Sequence, residues 1–159
     1  MKKDIFIDNN IATRFSNPQD KEYIKLTKWL MYYDLDDVEN KDNYAHLVVS
    51  QKLLVEYCRS AYGSSSDTAI PAIIDKLTRE DRLVKITKQE IADFKAAYFK
   101  PVVVRKLKSN NEDRDLIPVV LLSDRKFALT YDQNFTDDLE DFPGHTVRVE
   151  KRPENLPYL

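Results

Sequence analysis

Acidic residues follow several predicted strands of this chain or lie on the helices next to them. Asp8 comes directly after Ile5-Phe6-Ile7, a short apolar run typical of a buried strand. Glu56 lies on the helix predicted after a second strand, and Asp132 ends a third strand. Ligands of open α/β sheets bind at the carboxyl ends of strands, so these acids are candidates for one site. An all-oxygen cluster of this kind suits a hard cation such as Mg²⁺ or Mn²⁺.

Short apolar runs alternate with amphipathic helical segments along the whole chain. The runs predict strands at residues 5–7, 46–50, 127–130 and 146–149. Pro101-Val102-Val103-Val104 is open between a strand and an extended connection, because proline can begin either. A segment containing Asp113 and Asp115 leads into a helix marked by apolar residues 116–122. We predict one α/β domain over residues 1–159, with a mainly parallel sheet of four to five strands and helices on both faces.

The composition excludes several classes of protein. Two glycines in 159 residues leave no glycine-rich phosphate loop, which excludes P-loop ATPases, kinases and dinucleotide-binding domains. The single cysteine, Cys58, excludes an intrachain disulfide and a cysteine-rich zinc site, and its apolar helical surroundings predict a buried side chain. A net charge of −2 argues against a generally basic surface for nucleic acid. With no apolar run long enough for a membrane span, we expect a reducing, cytoplasmic location.

The order of these motifs resembles the PIN-domain nuclease family along nearly the whole chain. Members begin with a hydrophobic strand that ends in Asp-Thr/Ser-Asn, matched here by Asp8-Asn9-Asn10. A second acid one helical stretch after a strand is matched by Glu56. A later Thr-x-Asp-x-Asp-Phe-like motif is matched by Thr130 to Phe135, with Asn134 replacing the last acid. A short helix, a glycine and a final strand running towards Pro153 close the pattern.

The resemblance implies a three-layer α/β/α PIN-like fold and a nuclease that hydrolyses single-stranded RNA with Mg²⁺ or Mn²⁺. The implied metal ligands, which would also be the catalytic residues, are Asp8, Glu56, Asp132 and one of Asp113 or Asp115. Pro118 fits a first helical turn, which favours Asp115 as an N-cap, whereas the spacing to the last acid is more family-like from Asp113. By the same resemblance, Asn10 and Thr130 would orient Asp8 and Asp132.

Basic residues cluster in the sequence around the third acid and could bind phosphate beside the metal site, although a solvated surface would also explain them. They are Arg105, Lys106, Lys108 and Arg114, with Arg125 and Lys126 next to the third strand. Two other functions remain open at this stage. Asn9 and Asn134 depart from the family pattern and allow a non-catalytic PIN-like module that binds RNA or protein. The chain could also be the toxin of a toxin–antitoxin pair, with an antitoxin-like partner, and the resemblance allows a homodimer.

Overall fold

Five parallel strands form the centre of the computed structural model, which describes residues 1–159. The strands are β1 (Lys3–Ile7), β2 (Ala45–Val49), β3 (Leu83–Lys85), β4 (Phe127–Leu129) and β5 (Arg148–Glu150). Their order across the sheet is β3-β2-β1-β4-β5, and every neighbouring pair is parallel. The predicted three-layer α/β/α class is confirmed, and the sheet has the upper number of strands expected.

Nine α-helices connect and cover the strands. They are α1 (Asn9–Ala12), α2 (Lys21–Met31), α3 (Gln51–Ser60), α4 (Ile70–Arg79), α5 (Lys88–Tyr98), α6 (Pro101–Val104), α7 (Asn111–Arg114), α8 (Ile117–Leu121) and α9 (Gln133–Glu140). Short 3₁₀ turns lie at Thr13–Phe15, Val38–Asn43 and Pro153–Asn155. Side chains cap many of the helix starts; the Thr87 hydroxyl and Glu90, for example, form the capping box that opens α5.

The two central strands carry the core. Residues Ile5 to Ile7 of β1 and Leu47 to Val49 of β2 are all fully buried. Near-continuous apolar runs are expected for parallel strands, because helices cover both of their faces. The chain runs from β1 to β2 on one side and places β4 on the other side of β1. The crevice between the carboxyl ends of β1 and β4 is therefore the topological switch point, where α/β sheets bind ligands.

The segment before β4 differs from the prediction. Pro101–Val104 is a short helix, with its proline in the first turn, where proline fits well. The helix expected over the apolar residues 116–122 is α8, and a separate short helix, α7, precedes it across Asp115 and Leu116. Asp115 ends α7 and caps no helix start, since Asn110 caps α7 and Leu116 precedes α8. Pro118 does occupy a first turn, that of α8.

Two smaller features also differ. Strand β3 has no counterpart among the predicted strands, because it is three residues long and lies at the sheet edge with no fully buried side chain. Cys58 is exposed and not buried. The buried residues of α3 are Leu53 and Tyr57, and Cys58 lies about 100° further round the helix, facing solvent. No helix is long and apolar enough to cross a membrane.

A fully buried arginine fixes the start of β3. The Arg82 guanidinium donates to the carbonyl oxygens of Leu30 (2.9 Å) and Ala45 (2.8 Å) and pairs with the Glu80 carboxylate. Its side chain is 0% exposed. These contacts join the end of α2 and the beginning of β2 to the edge strand. A buried charge of this kind is tolerated only when it is fully hydrogen-bonded and paired.

Candidate functional site

Asp8 lies at the switch point and is held by hydrogen bonds to both carboxylate oxygens. Its backbone N–H donates to the carbonyl oxygen of Leu129 (2.9 Å), which continues the pairing of β1 with β4. Its Oδ1 accepts from the Asn9 N–H (2.7 Å) and caps α1. Its Oδ2 accepts from the Thr130 hydroxyl (2.6 Å) and the Asn10 amide (3.3 Å). The carboxylate therefore has a fixed orientation.

Asn10 and Thr130 connect the two strand ends around this carboxylate. The buried Thr130 hydroxyl oxygen accepts from the Asp132 N–H (3.1 Å), and Asn10 Oδ1 accepts from the Tyr131 N–H (3.2 Å). The Asp132 side chain in turn accepts from the Phe135 N–H (2.9 Å) as the N-cap of α9. Both residues predicted to orient Asp8 thus contact it. For Asp132, Thr130 bonds the backbone and not the carboxylate.

Glu56 and Asp113 bring two further carboxylates to the same edge. Glu56 is on α3, one residue before Tyr57, whose buried hydroxyl donates to the Ile7 carbonyl oxygen beside Asp8. Asp113 is on the short helix α7. The Glu56 carboxylate accepts no hydrogen bond within the protein, the Asp113 carboxylate interacts with the side chain of Asn110, and both residues are half-buried. Both therefore keep carboxylate oxygens available to a ligand.

The four carboxylates are close enough to perturb one another. Burial raises the pKa of Asp8, and the charges of Asp113 and Asp132 raise it further, against the opposing hydrogen bonds from Thr130 and Asn9. Burial and then the charge of Asp8 raise the pKa of Glu56. Burial and then the charge of Asp132 raise the pKa of Asp113. Three of the four thus lose favourable solvation and gain repulsion, which favours a cation between them.

Asp115 has a different environment from Asp113. Its carboxylate pairs with the ammonium groups of Lys95 and Lys52, the latter at 3.4 Å. Burial by itself would raise the pKa of Asp115, but the hydrogen bonds and charges of the two lysines outweigh burial and lower it. Of the two alternatives for the third acid, the structure brings Asp113 to the other carboxylates and turns Asp115 towards lysines.

The group of Asp8, Glu56, Asp113 and Asp132, called the acidic cluster below, fits a hydrated divalent cation better than a fully dehydrated one. None of the four forms an ion pair, and Lys52 is the cationic side chain whose charge acts on Glu56 and Asp113 from a greater distance. No three acidic, histidine or cysteine side chains are placed to hold one metal ion directly. Mg²⁺ takes one or two carboxylates and keeps several waters, which such spacing can accommodate.

The basic residues predicted to bind phosphate do not point into the acidic cluster. Arg114 donates to the carbonyl oxygens of Ser109 (3.0 Å) and Leu107 (3.4 Å), and Arg105 donates to that of Pro101. Lys108 pairs with an aspartate of α9 at 2.9 Å. Only Lys106 is exposed with no such contact. Arg105, Lys108 and Arg114 are thus engaged in local structure.

Sequence reasoning missed Lys52 and Lys95, the lysines nearest the acids. Lys52 Nζ donates to the Glu112 carbonyl oxygen (2.6 Å) and also reaches Asp115. It precedes Glu56 by four residues on α3, a spacing that puts both side chains on one face of the helix. That spacing could have identified Lys52 from the sequence.

No protein-family model matches this chain, and no curated protein matches it in sequence.

Proposed function

We propose that this protein is a Mg²⁺- or Mn²⁺-dependent nuclease that hydrolyses phosphodiester bonds of single-stranded RNA. The observation that carries the proposal is the acidic cluster, four carboxylates without ion pairs at the switch point between β1 and β4. The resemblance of the motif order to PIN-domain nucleases supplies the reaction and the substrate. A cytoplasmic location, where RNA is available, is part of the same proposal.

Asp8, Glu56, Asp113 and Asp132 would hold the cation. When bound, the cation would supply a water of lowered pKa and stabilise the leaving oxygen of the cleaved ester. The protein's own part is to keep the carboxylates ionised and in position. Thr130 and Asn10 do this for Asp8, through the hydrogen bonds to its Oδ2. Such outer contacts fix the orientation of a ligand and tune its basicity.

A cleavage assay tests the proposal directly. End-labelled single-stranded RNA is incubated with wild type in Mn²⁺ or EDTA, and with Asp113→Asn or Asp75→Asn in Mn²⁺. We expect metal-dependent cutting that falls by more than about 100-fold in Asp113→Asn, since even outer contacts of metal ligands contribute 10–100-fold. Asp75 is a suitable control because it pairs with Arg79 on the exposed side of α4. Equal cutting in Mn²⁺ and EDTA, or none on several RNAs, would contradict the proposal.

The second candidate is a non-catalytic module that binds RNA or a protein partner. It is favoured by the absence of three side chains placed to hold one ion, together with Asn9 and Asn134 at positions where the family has a hydroxyl or an acid. Isothermal titration with Mn²⁺ separates the two candidates. A nuclease of the proposed kind takes up Mn²⁺ in wild type and binds it about tenfold more weakly in Asp113→Asn. RNA binding without Mn²⁺ uptake or cutting would support the module.

A further inference from the structure

A groove of about 360 Å³ opens beside the acidic cluster, at the carboxyl ends of β2 and β3. One wall is the start of α3 with Lys52, and the other is α5 with Lys88 and Lys95. Ile86 and Ile91 supply apolar surface between the lysines. We call it the lysine groove. Its size is within the usual range for a small-ligand site.

The charges of the lysine groove favour an anion. Asp115 is the one acid in its lining, and Lys52 and Lys95 both pair with it. Three lysines against one carboxylate leave a net charge of +2. Asp115 also restrains two flexible ammonium groups at the groove, which reduces the entropy lost when they bind a ligand.

Lys88 has no structural role that explains its position. Its ammonium group forms no hydrogen bond and no ion pair, and the residue is exposed. It is the first residue of α5, where a positive charge opposes the helix macrodipole. A cation that opposes the helix dipole and forms no polar contact within the protein is therefore available to a ligand.

The lysine groove and the acidic cluster meet on α3. Lys52 lines the groove, and Glu56 of the acidic cluster lies one helical turn further along the same face of α3. An anionic chain lying in the groove would therefore reach the carboxylates without leaving the carboxyl edge of the sheet. A free phosphate would use only part of this surface.

We propose that the lysine groove binds the nucleotide next to the cleaved phosphodiester of a single-stranded RNA. Lys88 and Lys95 contact its phosphate, and Ile86 and Ile91 pack against its sugar or base. Asp115 is a positioning residue that holds Lys52 and Lys95. The proposal rests on the nuclease function proposed above, and it moves the expected phosphate contacts from Arg105, Lys106, Lys108 and Arg114 to Lys88 and Lys95.

The test measures RNA binding apart from cleavage. Fluorescence anisotropy of a labelled ten-nucleotide RNA is followed in EDTA on an Asp113→Asn background, which prevents cutting and removes one repelling charge. Lys88→Ala is compared with Lys25→Ala, an exposed lysine of α2 outside the groove and the acidic cluster. Loss of one phosphate contact lowers the slope of log affinity against log salt concentration by about 0.7. Counted from 1 M salt, this slope makes binding about eightfold weaker at 0.05 M salt. We expect that loss for Lys88→Ala and no change for Lys25→Ala.

Cleavage by the same substitutions, made without Asp113→Asn, gives a second measurement. Lys88→Ala is expected to raise KM about eightfold with little change in kcat, because it removes binding that ground state and transition state share. Unchanged RNA affinity and KM in Lys88→Ala, with cleavage by wild type, would overturn the proposal that the lysine groove binds RNA. That result would not contradict the nuclease function. Absence of both RNA binding and cutting in wild type would overturn both. Binding of an acidic peptide that RNA does not displace would overturn the assignment to RNA.

Discussion

Asp113 and Asp115 are two residues apart, yet their environments predict opposite effects of the same substitution on stability. Without metal, Asp115→Asn removes ion pairs to Lys52 and Lys95, whose side chains are about one-third exposed. Pairs of that exposure contribute about 0.2–1 kcal/mol each, so we expect a loss of about 1 kcal/mol. Asp113→Asn removes a charge that burial and Asp132 disfavour and should stabilise the protein by about 0.5 kcal/mol.

Metal should nearly remove the difference in stability between the two variants and should reverse the order of Asp113→Asn and wild type. A cation at 100 times its dissociation constant stabilises wild type by about 2.7 kcal/mol, which is about 5–11 °C in Tm for a chain of this size. If Asp113→Asn weakens binding about tenfold, its gain at that concentration falls to about 1.4 kcal/mol. Asp115→Asn should keep the full gain, because its carboxylate faces the lysine groove.

Differential scanning fluorimetry of the three proteins in EDTA and across an Mn²⁺ series measures all these quantities. Asp75→Asn is a control for loss of one carboxylate at an exposed ion pair, where the effect should stay within about 0.5 kcal/mol. Lower stability of Asp113→Asn than of wild type in EDTA would contradict the repulsion assigned to Asp113. Loss of the Mn²⁺ response in Asp115→Asn, and not in Asp113→Asn, would contradict the assignment of Asp113 to the metal site.

Two further predictions concern the buried polar residues of the sheet. Arg82→Met should cost about 3–5 kcal/mol in urea unfolding, because two carbonyl oxygens lose their arginine donor and Glu80 keeps only Lys76 as a partner. Arg79→Ala at an exposed pair should cost under about 0.5 kcal/mol. A loss below 1 kcal/mol for Arg82→Met would contradict this. Burial lowers the pKa of His46 in the folded protein, so the unfolded chain binds a proton at this histidine more readily. The stability that neutral His46 contributes is therefore present above about pH 6.5 and is lost as the pH falls. The difference in unfolding free energy between wild type and His46→Gln should therefore shrink from pH 7 to pH 5, and a constant difference would argue against a lowered pKa.

The central part of the fold follows from local sequence. Ile5 to Ile7 and Leu47 to Val49 are continuous apolar runs, and in an α/β chain only a strand covered on both faces buries such runs completely. The acid that follows the first run then lies at the carboxyl edge as a matter of strand direction. The edge strand Leu83–Lys85 carries no such signal. Its place is set by Arg82, whose partners Leu30 and Ala45 are distant in sequence.

The choice between Asp113 and Asp115 shows where the sequence stops being informative about the site. Residues two apart on a helix point about 200° away from each other, so only one of these carboxylates can face Asp8. The rotation of α7 about its axis decides which one. Burial of Leu116 directly after α7, the Asn110 cap, and the bond from Arg114 to the Ser109 carbonyl oxygen fix that rotation. Each of these is local, but the lysines that receive Asp115 come from two other helices, and their positions depend on how α3 and α5 pack. The sequence therefore places the acids at one edge of the sheet, whereas of the neighbouring lysines only Lys52, four residues before Glu56, had a local signal.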